Sequence, residues 1–448
     1  MRIVIIGAGE VGFHVAKALS QEDFDITVID IDPEKCRRAS EHLDVIVVLG
    51  NGASPKNLVK AEVAKADYVF ALTRIDEVNL IASQQARQLG ANKVIARLRN
   101  QQYSDANSII KPEKFGIDLV IHPEKEACEE IVRLVDHPYA TKAMDFEGGR
   151  LKMLGIRISS HSKIIGRSVR EICEIKKEIK FGIVSVIRGK RTVVPWGDFI
   201  FKANDRVYFI LKTENLSELL GILDINDDSS DRIIIFGGEK IGYSIAEKLQ
   251  DKKSVRLIDK RREKSEQIAT DLKDTMVINA DGTDIEFLKS ENIQNADSFI
   301  AVTKDEKTNI LAGILANRLG ARQTLIHINT TEYIPLLQDL GAGSVVSKNM
   351  ATVNSIIRKI YSDKTETDLF AFDEIEVDVI ELRPQNGSKV TQKKLEEVDF
   401  PKDSIVGVIN HHGHLSIARG NSIITEEDTV LVFSKTRAIP KIRKLFGL

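Results

Sequence analysis

The chain carries a glycine-rich turn twice, and the copies differ where the chemistry would be decided. Arg2 to Leu19 read RIVIIGAGEVGFHVAKAL, and Arg232 to Leu249 read RIIIFGGEKIGYSIAEKL. In the first, Gly7, Gly9 and Gly12 form a Gly-x-Gly-x-x-Gly set between a hydrophobic run and a helical one. Gly7 permits a tight turn, and Gly9 lets the bare backbone around Ala8, Glu10 and Val11 meet a pyrophosphate. Gly12 allows close helix–sheet packing, and the helix N-terminus adds unpaired donors and positive dipole. Asp30 ends the next hydrophobic run, about 20 residues on, where a carboxylate accepts both ribose hydroxyls and repels a 2′-phosphate. This set favours NAD(H) or a simple adenine nucleotide over NADP. Asn51 and Gly52, Thr73 and Arg74, and Arg97 follow later hydrophobic runs, at the edge where parallel sheets bind ligands. Asn51 and Thr73 suit adenine or ribose and Arg97 suits phosphate; the plainer readings are an ordinary turn and a surface arginine.

The second copy keeps Gly237, Gly238, Gly242 and Asp259, places Asp281 and Gly282 over Asn51 and Gly52, and Thr303 and Lys304 over Thr73 and Arg74. His327 takes the place of Arg97, and Glu239 takes that of Gly9. A carboxylate there repels phosphate unless it points away from the loop. Lys240, next to Ile241, and the basic run DKRRE at Asp259 to Glu263 either offset that charge near the mouth or simply begin a solvated helix. Near-normal binding, altered or weakened binding, and no binding all remain open for this copy.

The elements that hold these residues repeat as well. A shift of 230 positions carries Gly7 to Gly237, Thr73 to Thr303, Asn79 to Asn309 and Gly90 to Gly320, so the chain is a tandem duplication. In the first half, short apolar runs alternate with helical periods: helices are expected from Glu10 to Gln21, Pro33 to His42, near Pro55 to Ala61, and from Asp76 to Leu89. Such alternation implies a doubly wound parallel sheet with right-handed crossovers. After a sixth strand, LVIHP, residues 124–136 place Ala127, Ile131, Leu134 and Val135 on one stripe; Ile356, Ile357 and Ile360 are the counterpart. Both stripes are candidate subunit contacts, or ordinary intradomain packing.

From about Leu151 the pattern turns to short strands and turns, with a hairpin at Arg188 to Lys190, and the second half repeats it with Asp428 over Asp205. The acidic, Ser-rich DINDDSSD, Asp224 to Asp231, separates the halves. The expected organisation is a nucleotide-binding domain at 1–123, a crossover helix at 124–140 and a β-rich subdomain at 141–224. It then repeats as 231–348, 349–365 and 366–448.

Composition narrows the function classes. Among 448 residues, 64 Lys and Arg stand against 66 Asp and Glu, a balance that argues against nucleic acid or a polybasic membrane patch as the main partner. Cys36, Cys128 and Cys173 lack CxxC spacing and read as buried apolar residues in a reducing compartment. No secretory leader opens the sequence and no run of 18 apolar residues interrupts it, so a cytosolic protein is expected, meeting a membrane only through a partner.

Two Rossmann-like modules, each followed by a small β-rich α+β module, resemble the potassium-transport regulatory domains called RCK or KTN. The tandem form is similar to the cytosolic regulatory subunits of Trk-type potassium uptake systems. The resemblance spans essentially the whole chain. It rests on GAGEVG…VID, GNGASPKNL, ALTRIDEVNLIA and IAR in the first half, NADGTDIEFL and AVTKDEKTNILA in the second, and the Gly-Asp and Gly-Asn hairpins of the β-rich modules. It implies binding of NAD(H) or ATP and ADP and a homotetrameric ring of eight nucleotide modules. It also implies a Trk-type membrane subunit as partner, at the inner face of the cell membrane, and gating of potassium flux by nucleotide exchange. The family's second loop usually keeps the middle glycine, so Glu239 is a departure.

An NAD-dependent oxidoreductase is the competing class, but it needs a substrate domain with a proton donor or acceptor, and the repeats use up the chain. A regulator of another cation channel or antiporter is a third. Minor signals take plain readings. His411, His412 and His414 fall on a hairpin turn that reads as one residue longer than its counterpart, with no acid inside it, and are assigned no metal. Trp196 reads as a partly buried hairpin aromatic, the alternative being a ligand groove. Glu124 either bridges subunits, holds a cation or is an ordinary helix N-terminal acid.

Overall fold

The computed structural model describes residues 1–20, 24–103, 108–175, 181–189, 191–226, 231–362, 369–372 and 377–448. Gln21, Lys190, residues 227–230 of the linker between the halves and residues 366–368, where the last β-rich subdomain was expected to begin, lie outside them. The chain forms two compact units. One comprises residues 1–129 with 328–331 and 346–357; the other comprises 130–327, 332–345 and 358–448.

In the first half, β1 (Arg2–Ile6), β2 (Asp25–Asp30), β3 (Ile46–Leu49), β4 (Tyr68–Ala71), β5 (Lys93–Arg97) and β6 (Leu119–Ile121) form one sheet. Helices α1 (Glu10–Leu19), α2 (Pro33–His42), α3 (Pro55–Lys60), α4 (Asp76–Leu89) and α5 (Pro123–Val135) alternate with them. The order is β3-β2-β1-β4-β5-β6, all parallel. β1 is apolar throughout after Arg2 because helices cover both faces: Ile3, Val4, Ile5 and Ile6 are fully buried. The order reverses between β1 and β4, which opens a crevice beyond their carboxyl ends.

The second half repeats this sheet with strands Thr275–Asn279, Ser254–Asp259, Arg232–Phe236, Ser298–Ala301, Gln323–Ile328 and Ser344–Ser347, in that spatial order. The doubly wound architecture is therefore as the periodicity implies. One shift does not serve throughout: Arg2 pairs with Asp25 but Arg232 with Ser254, so the second strand is offset by 229 residues and Asp259 stands at the place of Asp30.

The β-rich modules are five-stranded antiparallel sheets of identical order: 191–193, 181–188, 206–212, 151–157 and 140–146 in one, and 414–417, 404–411, 428–434, 377–382 and 369–372 in the other. They share one core, in which Met153, Val184 and Ile210 pack in a cluster with Val379, Val408 and Phe433. The two hairpins are equally long, since Arg188 pairs with Arg191 and His411 with His414; the extra residue expected at the second turn is absent. Both modules also bulge at matching positions, Val184 and Gly407.

Both apolar stripes are consumed inside the chain. Ala127, Ile131, Leu134 and Val135, and Ile356, Ile357 and Ile360, are at most 2% exposed, so neither is a free face for another subunit. The end of α5 is further tied by Gln323, whose Nε2 donates to the Leu134 carbonyl at 3.1 Å. Cys36 and Cys128 are buried as expected, but Cys173 only partly. Trp196 is half-exposed, and its indole N–H donates to the Lys402 carbonyl at 2.9 Å.

The closest helix-to-turn approach makes a direct test. A Cβ at Gly12 would lie 1.8 Å from the Gly7 carbonyl oxygen, and one at Gly242 would lie 1.8 Å from that of Gly237, whereas one at Gly9 meets nothing within 4 Å. Gly12→Ala and Gly242→Ala are each expected to destabilise by about 3 kcal/mol or more. Gly9→Ala should leave the melting temperature within about 2 °C of wild type in thermal denaturation.

Candidate functional site

A buried asparagine builds the edge on which the candidate residues sit. Asn79, fully buried in α4, accepts the Thr73 N–H at 3.0 Å and the Thr73 hydroxyl at 2.7 Å on its Oδ1. Its Nδ2 donates to the carbonyls of Thr73 at 3.1 Å and Arg97 at 2.8 Å. One side chain thereby locks the chain leaving β4 to the end of β5. Asn309 repeats the arrangement with Thr303 and the His327 carbonyl. The sequence pairs Asn79 with Asn309, but its role emerges only from these bonds.

The first cleft has a volume of about 620 Å³. Gly7, Gly9, Glu10, Val11, Asp30, Asn51, Gly52, Thr73, Arg74 and Arg97 all line it. Ala8 contributes indirectly: its N–H donates to Asp30 Oδ2 at 2.6 Å, while Asp32 N–H donates to Oδ1 at 2.9 Å. Each Asp30 oxygen so held keeps a further lone pair for a hydroxyl. Thr73 spends its hydroxyl on Asn79, and Asn51 Oδ1 accepts the Ala53 N–H at 2.9 Å.

Arg97 is no surface residue. It is 7% exposed, its Nε has no hydrogen-bond partner among the described residues, and burial presses its pKa downward. Arg99 and Lys348 join it at the same end of the cleft. Glu124, in the first turn of α5, lies 3.6 Å from Arg99 Nε and 3.8 Å from Lys348 Nζ, one carboxylate among three cations. Burial lowers the pKa of Lys348, against the pull of Glu124. Asn329, Lys348 and Asn349 line this cleft although they come from the second half of the sequence. They belong to the first compact unit, a placement that no local sequence signal announces.

The second cleft measures about 240 Å³ and is lined by Gly237, Glu239, Asp259, Arg261, Thr303 and Lys304, among others. Gly238 N–H donates to Asp259 Oδ2 at 2.8 Å, as Ala8 does to Asp30. Lys240, Ile241, Asp281, Gly282 and His327 are not brought to its walls. Asp281 instead closes its own turn, accepting the Thr283 N–H and hydroxyl, and His327 is buried in its strand.

Glu239 faces this cleft, and Arg261 decides its charge. Arg261 occupies the helix N-cap position that Asp32 holds in the first half, and there it reaches back into the crevice. Its Nε and Nη2 donate to the two Asp259 oxygens at 3.0 and 2.8 Å, and Nη1 lies 2.5 Å from Glu239 Oε1. Lys304 Nζ is 2.9 Å from the same Glu239 oxygen. Arg261 and Lys304 thus supply compensating charge, while Arg262 stays on the exposed helix and pairs with Glu266. Burial pushes the pKa values of Glu239 and Asp259 up, but the hydrogen bonds from these cations outweigh it and leave both lowered.

The TrkA-N domain family matches residues 3–123 and 233–348, and the TrkA-C domain family matches residues 153–224 and 379–447. The chain belongs to the TrkA family. It is 33% identical to "Trk system potassium uptake protein TrkA homolog 1" of Methanosarcina mazei, with 100% of both chains covered. It is 30% identical to "Trk system potassium uptake protein TrkA" of Haemophilus influenzae, covering 100% of this chain and 98% of that one. Among solved structures it is similar in fold to the RCK domain of GsuK, with a TM-score of 0.59 and 17% identity over 100% of this chain and 95% of that chain. In this TrkA family member, then, the fingerprint loop of each TrkA-N region borders a cleft, and the two clefts carry opposite solutions to the same carboxylate.

The lowered pKa values give a signed pH dependence. Pairing of Glu239 and Asp259 with Arg261 contributes stability that is fully present above the unfolded-state values, near 4, and is lost as pH falls through the lower folded ones. Arg261→Ala is expected to lower the melting temperature at pH 7 and to flatten its decline below about pH 5. Thermal melts across pH for both proteins check this.

Proposed function

We propose that this chain is the nucleotide-sensing regulatory subunit of a Trk-type potassium uptake system, with the first cleft as its sensor. The carrying observation is a cleft that joins a ribose-competent Asp30 to a cationic end, in a chain similar end to end to proteins named for Trk potassium uptake. Gly7, Gly9 and the amides of Glu10 and Val11 suit a pyrophosphate, and Asp30 suits a ribose without a 2′-phosphate. Arg97, Arg99 and Lys348 suit terminal phosphates. The ligand is therefore NAD(H) or ATP and ADP, bound and exchanged rather than turned over. In the second cleft Arg261 sits where a ribose would hydrogen-bond to Asp259, so nucleotide binding there is weak.

A nucleotide regulates only by favouring one conformation over another, by its difference in affinity for the two. The chain would transmit that difference as a homotetrameric ring, at the cytoplasmic face of the membrane, to a Trk-type membrane subunit. No helix among the described residues is long and apolar enough to cross a membrane, which accords with contact through that partner. The module boundaries proposed are 1–123, 141–224, 231–348 and 366–448, with crossover helices between each pair.

Calorimetric titration with ATP, ADP and NADH is expected to give one strong site per chain. Asp30→Ala should weaken it at least about tenfold, roughly the loss of a charge-assisted hydrogen bond, and Asp259→Ala should not. The double variant Glu239→Gly, Arg261→Ala should raise the stoichiometry towards two. Pull-down of a potassium-transport membrane subunit that varies with nucleotide supports the regulatory reading. Steady NADH consumption with a small substrate would replace it by the oxidoreductase.

A further inference from the structure

The two β-rich modules match in register, so they can be compared position by position. An offset of 223 residues carries Asp205 to Asp428, Arg188 to His411, Gly189 to His412 and Asn204 to Glu427. Shared strand pairing at the hairpin and the matching bulges fix this equivalence. In the first module Arg188 grips Asp205 with Nε and Nη2 at 2.8 and 2.7 Å, an ion pair complete in itself. The second module keeps the aspartate and changes the other three residues into ones that carry metal-ligand atoms.

These three side chains converge. One ring nitrogen from each of His411 and His412 and a carboxylate oxygen of Glu427 lie within 4.8 Å of one another, the one such group among the described residues. His412 Nε2 is 2.9 Å from Glu427 Oε2, close to the separation of about 3.3 Å between two ligand atoms bound at about 2.0 Å to a tetrahedral ion. The acids are invisible within the histidine turn because they come from the neighbouring segment: Asp428 begins the strand opposite His411, and Glu427 ends the turn just before it. Asp428 is buried, accepts the Thr425 N–H at 2.6 Å, and sits 2.7 Å from His411 Nδ1. A carboxylate so placed fixes the proton on one ring nitrogen and leaves the other nitrogen's lone pair to bind a metal.

The backbone adds an independent sign. His412 has φ +49°, in the left-handed region that Gly189 occupies at φ +58° in the first module. Glycine is the relaxed choice there, and His412 is 64% exposed in its side chain, so packing returns little for the strain.

We propose that His411, His412 and Glu427 bind a divalent transition metal of the zinc class, with Asp428 orienting His411 and a fourth position open to water or another ligand. The donor set is two imidazoles and a carboxylate, which suits zinc over calcium or magnesium. The inference does not depend on which nucleotide the first cleft takes.

The test titrates Zn²⁺ alone into full-length, chelator-stripped protein, by calorimetry and by the visible absorption of Co²⁺ as a substitute. One ion per chain is expected to bind at this site. His412→Gly and Glu427→Asn, each restoring the first module's residue, should weaken it at least tenfold, and His411→Arg should abolish it by rebuilding the arginine–aspartate pair. His412→Gly should melt no lower than wild type, so its loss of metal is not a loss of fold. His414→Ala should keep the site, because that histidine lies outside the set. Zinc uptake by wild type no greater than by the triple variant H411R/H412G/E427N overturns the proposal, as does a Co²⁺ spectrum unchanged in that variant.

Discussion

Both clefts depend on one buried amide. An asparagine in the middle of a helix, cut off from water, must satisfy its side-chain polar groups inside the protein or cost stability. Asn79 does so by bonding main-chain groups at Thr73 and the Arg97 carbonyl, and Asn309 does so at Thr303 and the His327 carbonyl. The consequence reaches beyond stability. With the β4 exit held to the end of β5, the glycine turn faces a wall of fixed shape, and Gly12 pressed on the Gly7 carbonyl sets the angle of α1 above it.

On that common frame the two halves differ by coupled charges. A glutamate alone at position 239 would stand beside Asp259 with like charge in a partly buried crevice, raising the cost of both. An arginine at the adjoining helix cap resolves this by forking onto one carboxylate and touching the other. In the first half the same two places hold Gly9 and Asp32, and Asp32 points to its own helix, capping Glu34. The loop that carries no side chain at Gly9 in one copy holds an ion-paired glutamate in the other, with an almost unchanged backbone plan.

The β-rich modules tell the same story in another setting. Asp205 and Asp428 occupy equivalent buried positions, yet one is answered by an arginine whose charge is permanent and the other by a histidine that is charged only when protonated. Duplication preserved the carboxylates in both module types and changed what answers them. Asymmetry between the halves is therefore a matter of a few side chains at fixed backbone positions.

The sequence alone determined the duplication, the alternation of strands and helices, the glycine turn and the carboxylate at the end of β2. These follow from short-range spacing, because a period of two or 3.6 residues and a turn's need for glycine are local properties. Tertiary structure alone decided that Lys348 and Asn329 line the first cleft, that Arg97 is buried and that Arg261 turns inward. It also decided that the apolar stripes are used within the chain and that Glu427, in one turn, meets His412 in another. Each of these depends on which distant segment packs nearby and on the rotamer a charged side chain takes once its neighbours are set. Separation along the chain carries no record of either.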